Sequence, residues 1–458
     1  MPHGSLHTRR SERIQSFMRD AMTDDNIDVL ILGAGIAGLT AARALSERGV
    51  RVTVVEARDR VGGRLLSRVA AGGDVVELGA EFVHGRAQEL WALLAECEAQ
   101  TTEREGTMLR EDGNGGLVED DPQDEERFAP LEDLEDFTGE DVSFADWLAT
   151  SDVPEEDRPA LLGYVEGFNA ADAHTIGVRS LGVQQKAEEA TEGDRSWHVH
   201  GGYAQIAEHL AGRVKEHGGN VLLNAEVLAV RWSTSNVEVE TNQGILRAKR
   251  CIITLPLGVL QRVNSKAGLK ITPEPAAIVQ ARRLAMGHAV RFTMVFRERW
   301  WEQLRALPAE TLRAMSFLFT AQHLPPVWWT MHPEAEAAPT LTGWIGGPRA
   351  KALEGRSAGE LGREACATLA QVFSVDESLV RASLLETHSH DWSSDPFARG
   401  AYSYVPAGAM DAPAAMTQPE DETLFFAGEH TDTTGHWGTV HAALRSGLRA
   451  AQQVLGEN

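Results

Sequence analysis

Cysteine is scarce in this chain. Cys97, Cys251 and Cys366 are the only thiols in 458 residues. They are isolated and odd in number, which excludes a disulfide framework and leads us to expect a reducing, cytoplasmic compartment. Long apolar runs are also missing. A membrane span needs roughly 18 residues, whereas the longest candidate here, Val29–Leu39, is broken by three glycines. No membrane partner is expected. Residues 1–26 carry Arg9-Arg10 with no apolar stretch behind them, so they read as a disordered tail and not an export signal. Basic residues are in deficit: 43 Lys and Arg face 67 Asp and Glu, for a formal net charge of −24. Nucleic acid is therefore not an expected partner. Thirteen of the acids crowd into Glu119–Asp146 beside a single base, Arg127. Such a run is either a solvated surface loop or an acidic rim that concentrates cationic substrates. There is no G-x-S-x-G and no C-x-x-C. The pairs His198/His200 and His388/His390 could each share a strand face, but neither has a third ligand at metal spacing, so no metal is expected.

What is present begins with a nucleotide signature. Ile27–Leu32 is a short β-rich run, followed at once by Gly33-Ala34-Gly35-Ile36-Ala37-Gly38, a helix-forming stretch over 41–48, and a second strand over 51–55 closed by Glu56. Strand, glycine turn, helix, strand and acid are the context that gives G-x-G-x-x-G a meaning. Gly33 permits the tight turn, Gly35 lets backbone approach a pyrophosphate, and Gly38 lets helix and strand pack closely. The helix-start amides, including that of Ala37, hold the anion. Glu56, 18 residues beyond Gly38, is placed to accept from a ribose hydroxyl. The fingerprint alone leaves NAD and FAD open. The next residues, Glu56-Ala57-Arg58-Asp59-Arg60-Val61-Gly62-Gly63-Arg64, add a second glycine pair and three arginines. An NAD domain does not need these, but a pyrophosphate that bridges two halves of a longer cofactor can use fixed guanidinium donors.

Here the chain resembles the flavin-containing amine oxidases, the superfamily of monoamine oxidases, polyamine oxidases and the flavin-dependent histone lysine demethylase. EARDRVGGR is similar to the family motif after the ribose acid. Glu77–Gly85, ELGAEFVHG, is similar to the segment that passes the flavin ring. The resemblance implies ring contacts from Gly79, Ala80, Glu81 and Phe82. His84 then either faces substrate or is a satisfied structural histidine. Val227 lies in a segment similar to the one that meets the adenine through its backbone. HSHDWSSDPFARGAYSYVPAG, residues 388–408, resembles the W-x-x-D-P stretch; it puts Tyr402 at an aromatic wall over the flavin, with Trp392 a second candidate for gripping substrate. Ala401 stands where monoamine oxidases carry the cysteine that binds FAD covalently, so non-covalent FAD is implied. FAGEHT and GTVHAALRSGLRAA, residues 426–451, resemble polyamine oxidase and demethylase endings. Gly428 and Glu429 would meet the ribityl or phosphate arm, and Thr439 and Val440 would aim helix-start amides at the flavin's N1/O2 edge. Thr439 also replaces the second aromatic of the monoamine oxidase cage, which places its side chain near substrate.

One position departs from the pattern. Where the family segment carries a lysine that holds a water against flavin N5, this chain has Arg291. Arginine keeps the charge but cannot lose a proton.

The implied fold is α/β: a doubly wound, Rossmann-type FAD domain from 27–86, 198–278 and 396–458, interleaved with an α+β substrate domain from 87–197 and 279–395. Trp300, Trp301, Trp328, Trp329 and Trp344 fall in the second domain and read as core or cavity wall. The implied activity is oxidation of a primary or secondary amine, including polyamines, by hydride transfer to flavin N5. The imine then hydrolyses to aldehyde and amine, and O2 goes to H2O2. The substrate is expected to be a small cationic amine, O2 the acceptor, and the oligomeric state is open. Two alternatives remain: an L-amino-acid oxidase with Arg291 or Arg179 aimed at a carboxylate, and a flavin dehydrogenase or scaffold that reacts poorly with O2 because of Arg291. Histone demethylation is not expected, because no coiled-coil insertion or chromatin-binding domain is present.

Overall fold

The computed structural model describes residues 27–112, 115–120, 127–305, 307–320, 323–331 and 339–457. The tail 1–26 and part of the acidic run, 121–126, lie outside the described residues. In chain order, the elements that build the site are β1 (Ile27–Leu32), α1 (Ile36–Ser46), β2 (Val52–Val55), β3 (Phe82–His84), α2 (Arg158–Asn169), α3 (Val178–Glu189), β4 (Gly244–Ile253), β5 (Ala289–Phe296), β6 (Thr340–Gly346), β7 (Leu424–Phe426) and α4 (Val440–Leu455).

The first sheet has eight strands. Its parallel part runs Asn220–Leu222, β2, β1, β4, with β7 pairing beside β4. An antiparallel extension of Asn236–Thr241 and Val227–Ser233, then Lys270–Thr272, completes it. The reason β1 reads as an unbroken apolar run is that both its faces are covered, as parallel sheets require. Val29 and Ile31 pack under α1, α4 and the helix Gln205–Glu216. Leu30 and Leu32 pack on the opposite side, against Leu257, Ile278 and Met416. The fold is thus α/β and doubly wound around strands drawn from three distant stretches of chain.

The second sheet has seven strands in the order Leu384–Ser389, β5, β6, Val327–Trp329, Met315–Phe319, Thr107–Glu111, Leu117–Glu119. Two-residue alternation splits its faces. Phe292, Met294 and Phe296 of β5, with Leu341 and Ile345 of β6, enter a core shared with Trp328, Trp301 and Leu369. Arg291 and Thr293 of β5, opposite Trp344 and Thr342 of β6, take the other face. Trp300, Trp301 and Trp328 are therefore core, while Trp329 and Trp344 reach a cavity. A third, three-stranded sheet joins β3 to Ser196–Val199 and Thr101–Glu103. Among the described residues, no helix is long and apolar enough to cross a membrane.

Candidate functional site

A cavity of about 1860 Å³ runs between the two large sheets. That exceeds the ~300–1,000 Å³ of ordinary small-molecule sites and suits an extended ligand with room beyond it.

At one end the wall is mostly backbone. Gly35 caps α1 without any side-chain hydrogen bond, so the first-turn amides have no protein acceptor from a cap. A Cβ at Gly35 would meet nothing within 4 Å, which leaves its face open to the cavity. A Cβ at Gly38 would lie 2.0 Å from the Gly33 carbonyl oxygen, so this close crossing of helix and strand admits glycine alone. Gly38 is the one member of the fingerprint glycines that does not line the cavity; Gly33, Gly35 and Ala37 do. Glu56 ends β2 beside them and accepts from the Ala34 amide at 2.8 Å and the Arg58 amide at 2.9 Å. The cavity continues past Ala225, Val227, Leu255 and Val259. An uncapped helix start, an open glycine and an acid at the end of the neighbouring strand are the donor and acceptor set a dinucleotide needs, so the residues fit FAD.

The arginines behave differently from the expectation. Arg58 spends its fork on Asp395, at 2.8 and 2.9 Å. Arg60 donates to the carbonyls of Val61, Leu65 and Gly63. Arg64 donates to the Ala401 carbonyl at 2.8 Å and to Glu429 at 2.9 Å. With these acceptors at hand, the three guanidinium groups fix loops around the cofactor wall, while Arg58 and Arg64, which line the cavity, keep further N–H donors beyond these bonds. Glu429 is buried and also accepts from the Ser403 hydroxyl at 2.5 Å and the Gly438 amide at 3.0 Å. Most of its acceptor capacity is taken by protein, so it acts as a clasp between β7, the Arg64 loop and the turn before α4. Burial opposes ionisation of Glu429, but Arg64 and its other donors outweigh this and hold its carboxyl below the usual range. Thr439 needs a similar correction. Its hydroxyl accepts from the Ala442 amide and donates to the His436 carbonyl, capping α4. That hydroxyl is committed to the helix, while Gly438, Thr439 and Val440 all line the cavity.

At the other end the wall is side chain. Tyr402 and Trp344 lie with ring planes 8° apart and centroids 6.5 Å apart. Both are pinned to the end of α2: the Tyr402 hydroxyl donates to the Phe168 carbonyl at 2.5 Å, and Trp344 Nε1–H donates to the Gly167 carbonyl at 2.9 Å. Trp392, expected as a partner of Tyr402, also lines the cavity but does not stack on that ring. It packs with Leu66, Leu78 and Ala398, donates to the Leu78 carbonyl at 2.8 Å, and meets Arg58 and His390. It supports the segment at Gly79, whose Cβ would stand 3.3 Å from its ring. His84 faces Phe168 edge-on, and no hydrogen bond ties its ring to another described residue. Burial, with help from Arg104, pushes it down to about 4, so it is a neutral imidazole. Sequence reasoning missed Glu188 of α3. It lines the cavity, its one side-chain partner among the described residues being Gln184 at 2.8 Å, and burial pushes its carboxyl up to about 7 against that hydrogen bond. A helix-period look at 178–189 could have placed Glu188 and Gln184 on one face.

Arg291 and Glu81 form a buried ion pair. Arg291 also donates to the Gly79 carbonyl at 3.0 Å, and Glu81 accepts from Trp329 Nε1–H at 3.1 Å. Glu81 thus brings its side chain into the site, and Arg291 has both Nη atoms engaged by protein acceptors. Arg179, the other candidate for a substrate carboxylate, is exposed and bound to the Gly139 carbonyl.

Comparison with known proteins places these features. A family model described as flavin containing amine oxidoreductase matches residues 36–455. Lysine-specific histone demethylase 1 homolog 2 of Arabidopsis thaliana is 26% identical over 454 residues, which cover 93% of this chain and 58% of that protein. The chain thus spans little more than half of that relative's length. Polyamine oxidase 1 of Oryza sativa subsp. japonica is 27% identical over 504 residues, covering 93% of this chain and 96% of the relative. The structure of a putrescine oxidase bound to putrescine superposes with a TM-score of 0.78 at 23% identity, over 94% of this chain and 99% of that one. It shares the fold.

Proposed function

This chain belongs to the flavin containing amine oxidoreductase family, and from that premise we propose that it oxidises the C–N bond of a small amine that carries a second basic group. FAD is the cofactor, held without a covalent link, since Ala401 offers no nucleophile. When bound, it accepts the hydride that leaves the carbon beside the amine nitrogen.

The observation that carries the reading is the parallel pair Trp344 and Tyr402. Two fixed aromatic faces exclude water and hold an amine by its apolar flanks and its nitrogen. Their anchors on α2 fix the orientation before substrate arrives, which is where such a site gains its rate. No strong base is needed. His84 stays neutral and can accept from an amine N–H without competing for its proton. The amine itself must be neutral at the reacting nitrogen to release hydride. Glu188 supplies the anion for the second basic group, and the described residues offer it no cation of their own. The polyamine oxidase and putrescine oxidase relatives support this choice of amine. Commitment of Arg291 and exposure of Arg179 argue against an amino-acid substrate.

The test is an anaerobic stopped-flow panel of diamines, monoamines and amino acids, followed by addition of O2. Diamines should bleach the flavin absorbance fastest. Bleaching by amino acids alone would reverse the reading. The O2 addition separates oxidase from dehydrogenase, the question that Arg291 in place of lysine raises.

A further inference from the structure

A second cavity, of about 180 Å³, lies behind the Arg291–Glu81 pair. Glu81 and Arg291 line both cavities, and among the described residues they alone are common to the two linings. The reason is in the strand alternation. The face of β5 that brings Arg291 to the large cavity brings Thr293 to the small one, and β6 does the same with Trp344 and Thr342. One sheet face thus carries the aromatic wall, then the ion pair, then threonines.

The small cavity is polar where a core would be apolar. Thr293, Thr340 and Thr342 are each 3% exposed or less and line it. Thr293 and Thr342 share one hydroxyl–hydroxyl bond of 2.9 Å, which leaves each with capacity unused. Glu77 faces the cavity as well. It accepts from the Tyr203 amide and the Ser67 hydroxyl. Buried hydroxyls with capacity left over gain from a further partner, so the lining suits an occupant that donates and accepts. Arg291 points the same way. It is 7% exposed, and its Nε–H has no acceptor among the described residues. The volume holds several waters. The cavity reaches the exterior by His200 and Gly201, both exposed.

We propose that this cavity is a water annex of the reaction site, and that the Arg291–Glu81 pair is the partition across which one water passes to the oxidised substrate. This rests on the amine-oxidising reading above. That water adds its oxygen to the iminium carbon. The C–N bond breaks, the oxygen becomes the carbonyl oxygen, and for a primary amine both hydrogens leave on the ammonium. No oxidant or reductant is consumed. The annex places that supply directly behind the ion pair, apart from the solvent that enters the large cavity.

Two measurements decide it. A high-resolution crystal structure of the wild-type holoenzyme should show ordered waters in the annex, one of them accepting from Arg291 Nε–H. A dry annex overturns the proposal. In the second, one anaerobic turnover of a primary amine is quenched with borodeuteride, which converts free aldehyde to deuterated alcohol and surviving imine to deuterated amine. Wild type should give mainly alcohol. Thr342→Met, which fills the annex, should give mainly deuterated amine at an unchanged rate of flavin bleaching. An unchanged product ratio in a folded Thr342→Met protein overturns the proposal, as does an effect confined to reoxidation by O2. If no amine bleaches the flavin, the amine-oxidising reading fails, and the crystal structure still decides whether the annex holds water.

Discussion

The two ends of the large cavity are built on opposite plans. At the cofactor end, backbone faces the ligand and the charged side chains are spent on one another: Arg58 on Asp395, Arg64 on Glu429. At the substrate end, side chains face the ligand and several polar groups keep capacity in reserve, Glu188 and His84 above all. A closed network fixes shape and cannot adapt, which suits a ligand that stays. Groups left short of partners are stable there only because a ligand completes them, which suits one that comes and goes.

Changes at the closed end should therefore act on stability, and changes at the open end should alter turnover while the fold persists. The largest effect is expected for Gly38→Val. A side chain placed 2.0 Å from the Gly33 carbonyl forces α1 off β1, at a cost of about 4 kcal/mol or more. The protein should be colourless after desalting and melt far below wild type; a yellow protein with an unchanged melting temperature would refute the close-packing account. Next comes Tyr402→Ala, which removes one aromatic face. Flavin bleaching by the preferred amine should slow by about 100-fold while bound FAD keeps its absorbance. Equal loss of FAD and rate would erase the distinction between the two ends.

Glu188→Gln should be milder and selective. KM for a diamine should rise about tenfold, as for loss of one charge-assisted hydrogen bond, with a monoamine of equal length unaffected. The pH dependence sharpens this. Burial raises the Glu188 carboxyl to about 7, and Gln184 only partly offsets it. Its anionic form is the one that binds a cation, so the diamine KM should climb as pH falls through about 7. In Glu188→Gln that dependence should vanish. The smallest effect is expected for Asp395→Asn, at about 1–2 kcal/mol near neutral pH. Burial works against ionisation of Asp395, but hydrogen bonds from His390 and Arg58 prevail and hold its carboxyl below the ordinary range. A depressed folded-state pKa stabilises above the unfolded value, near ~3.9, and that stability is lost as pH falls further. Melting curves across acidic pH should therefore be flatter for the variant, and an identical acid limb would show that the pair contributes nothing.

The same contrast explains what sequence alone made legible. The cofactor end was readable because a turn of Gly33, Gly35 and Gly38 between two strands is a local demand, met by residues adjacent in the chain. Partners were not readable. Nothing near Arg58 announces Asp395, 337 residues away, which takes two of its donors. Thr439 was placed near substrate by position, although its hydroxyl caps a helix. At the substrate end, the pairing of Trp344 with Tyr402 depends on the register that sets Arg291 opposite Trp344, a non-local fact. Trp392 is the nearer tryptophan in sequence and lines the same cavity, but its ring packs on Leu66, Leu78 and Ala398 and not on Tyr402. Glu81 and Arg291 were noticed singly, and only the fold makes them a pair.

The late strand β7, hydrogen-bonded alongside β4, also bears on biosynthesis. A nascent chain has β1, α1 and β2 long before the ribosome delivers Glu429 and α4. Until then Arg64 has no Glu429 to meet, and the cradle stands open on one side. Tight retention of FAD should therefore begin only after the chain through α4 has emerged and folded, because Gly428, Glu429 and the Gly438–Val440 turn line that side of the cavity.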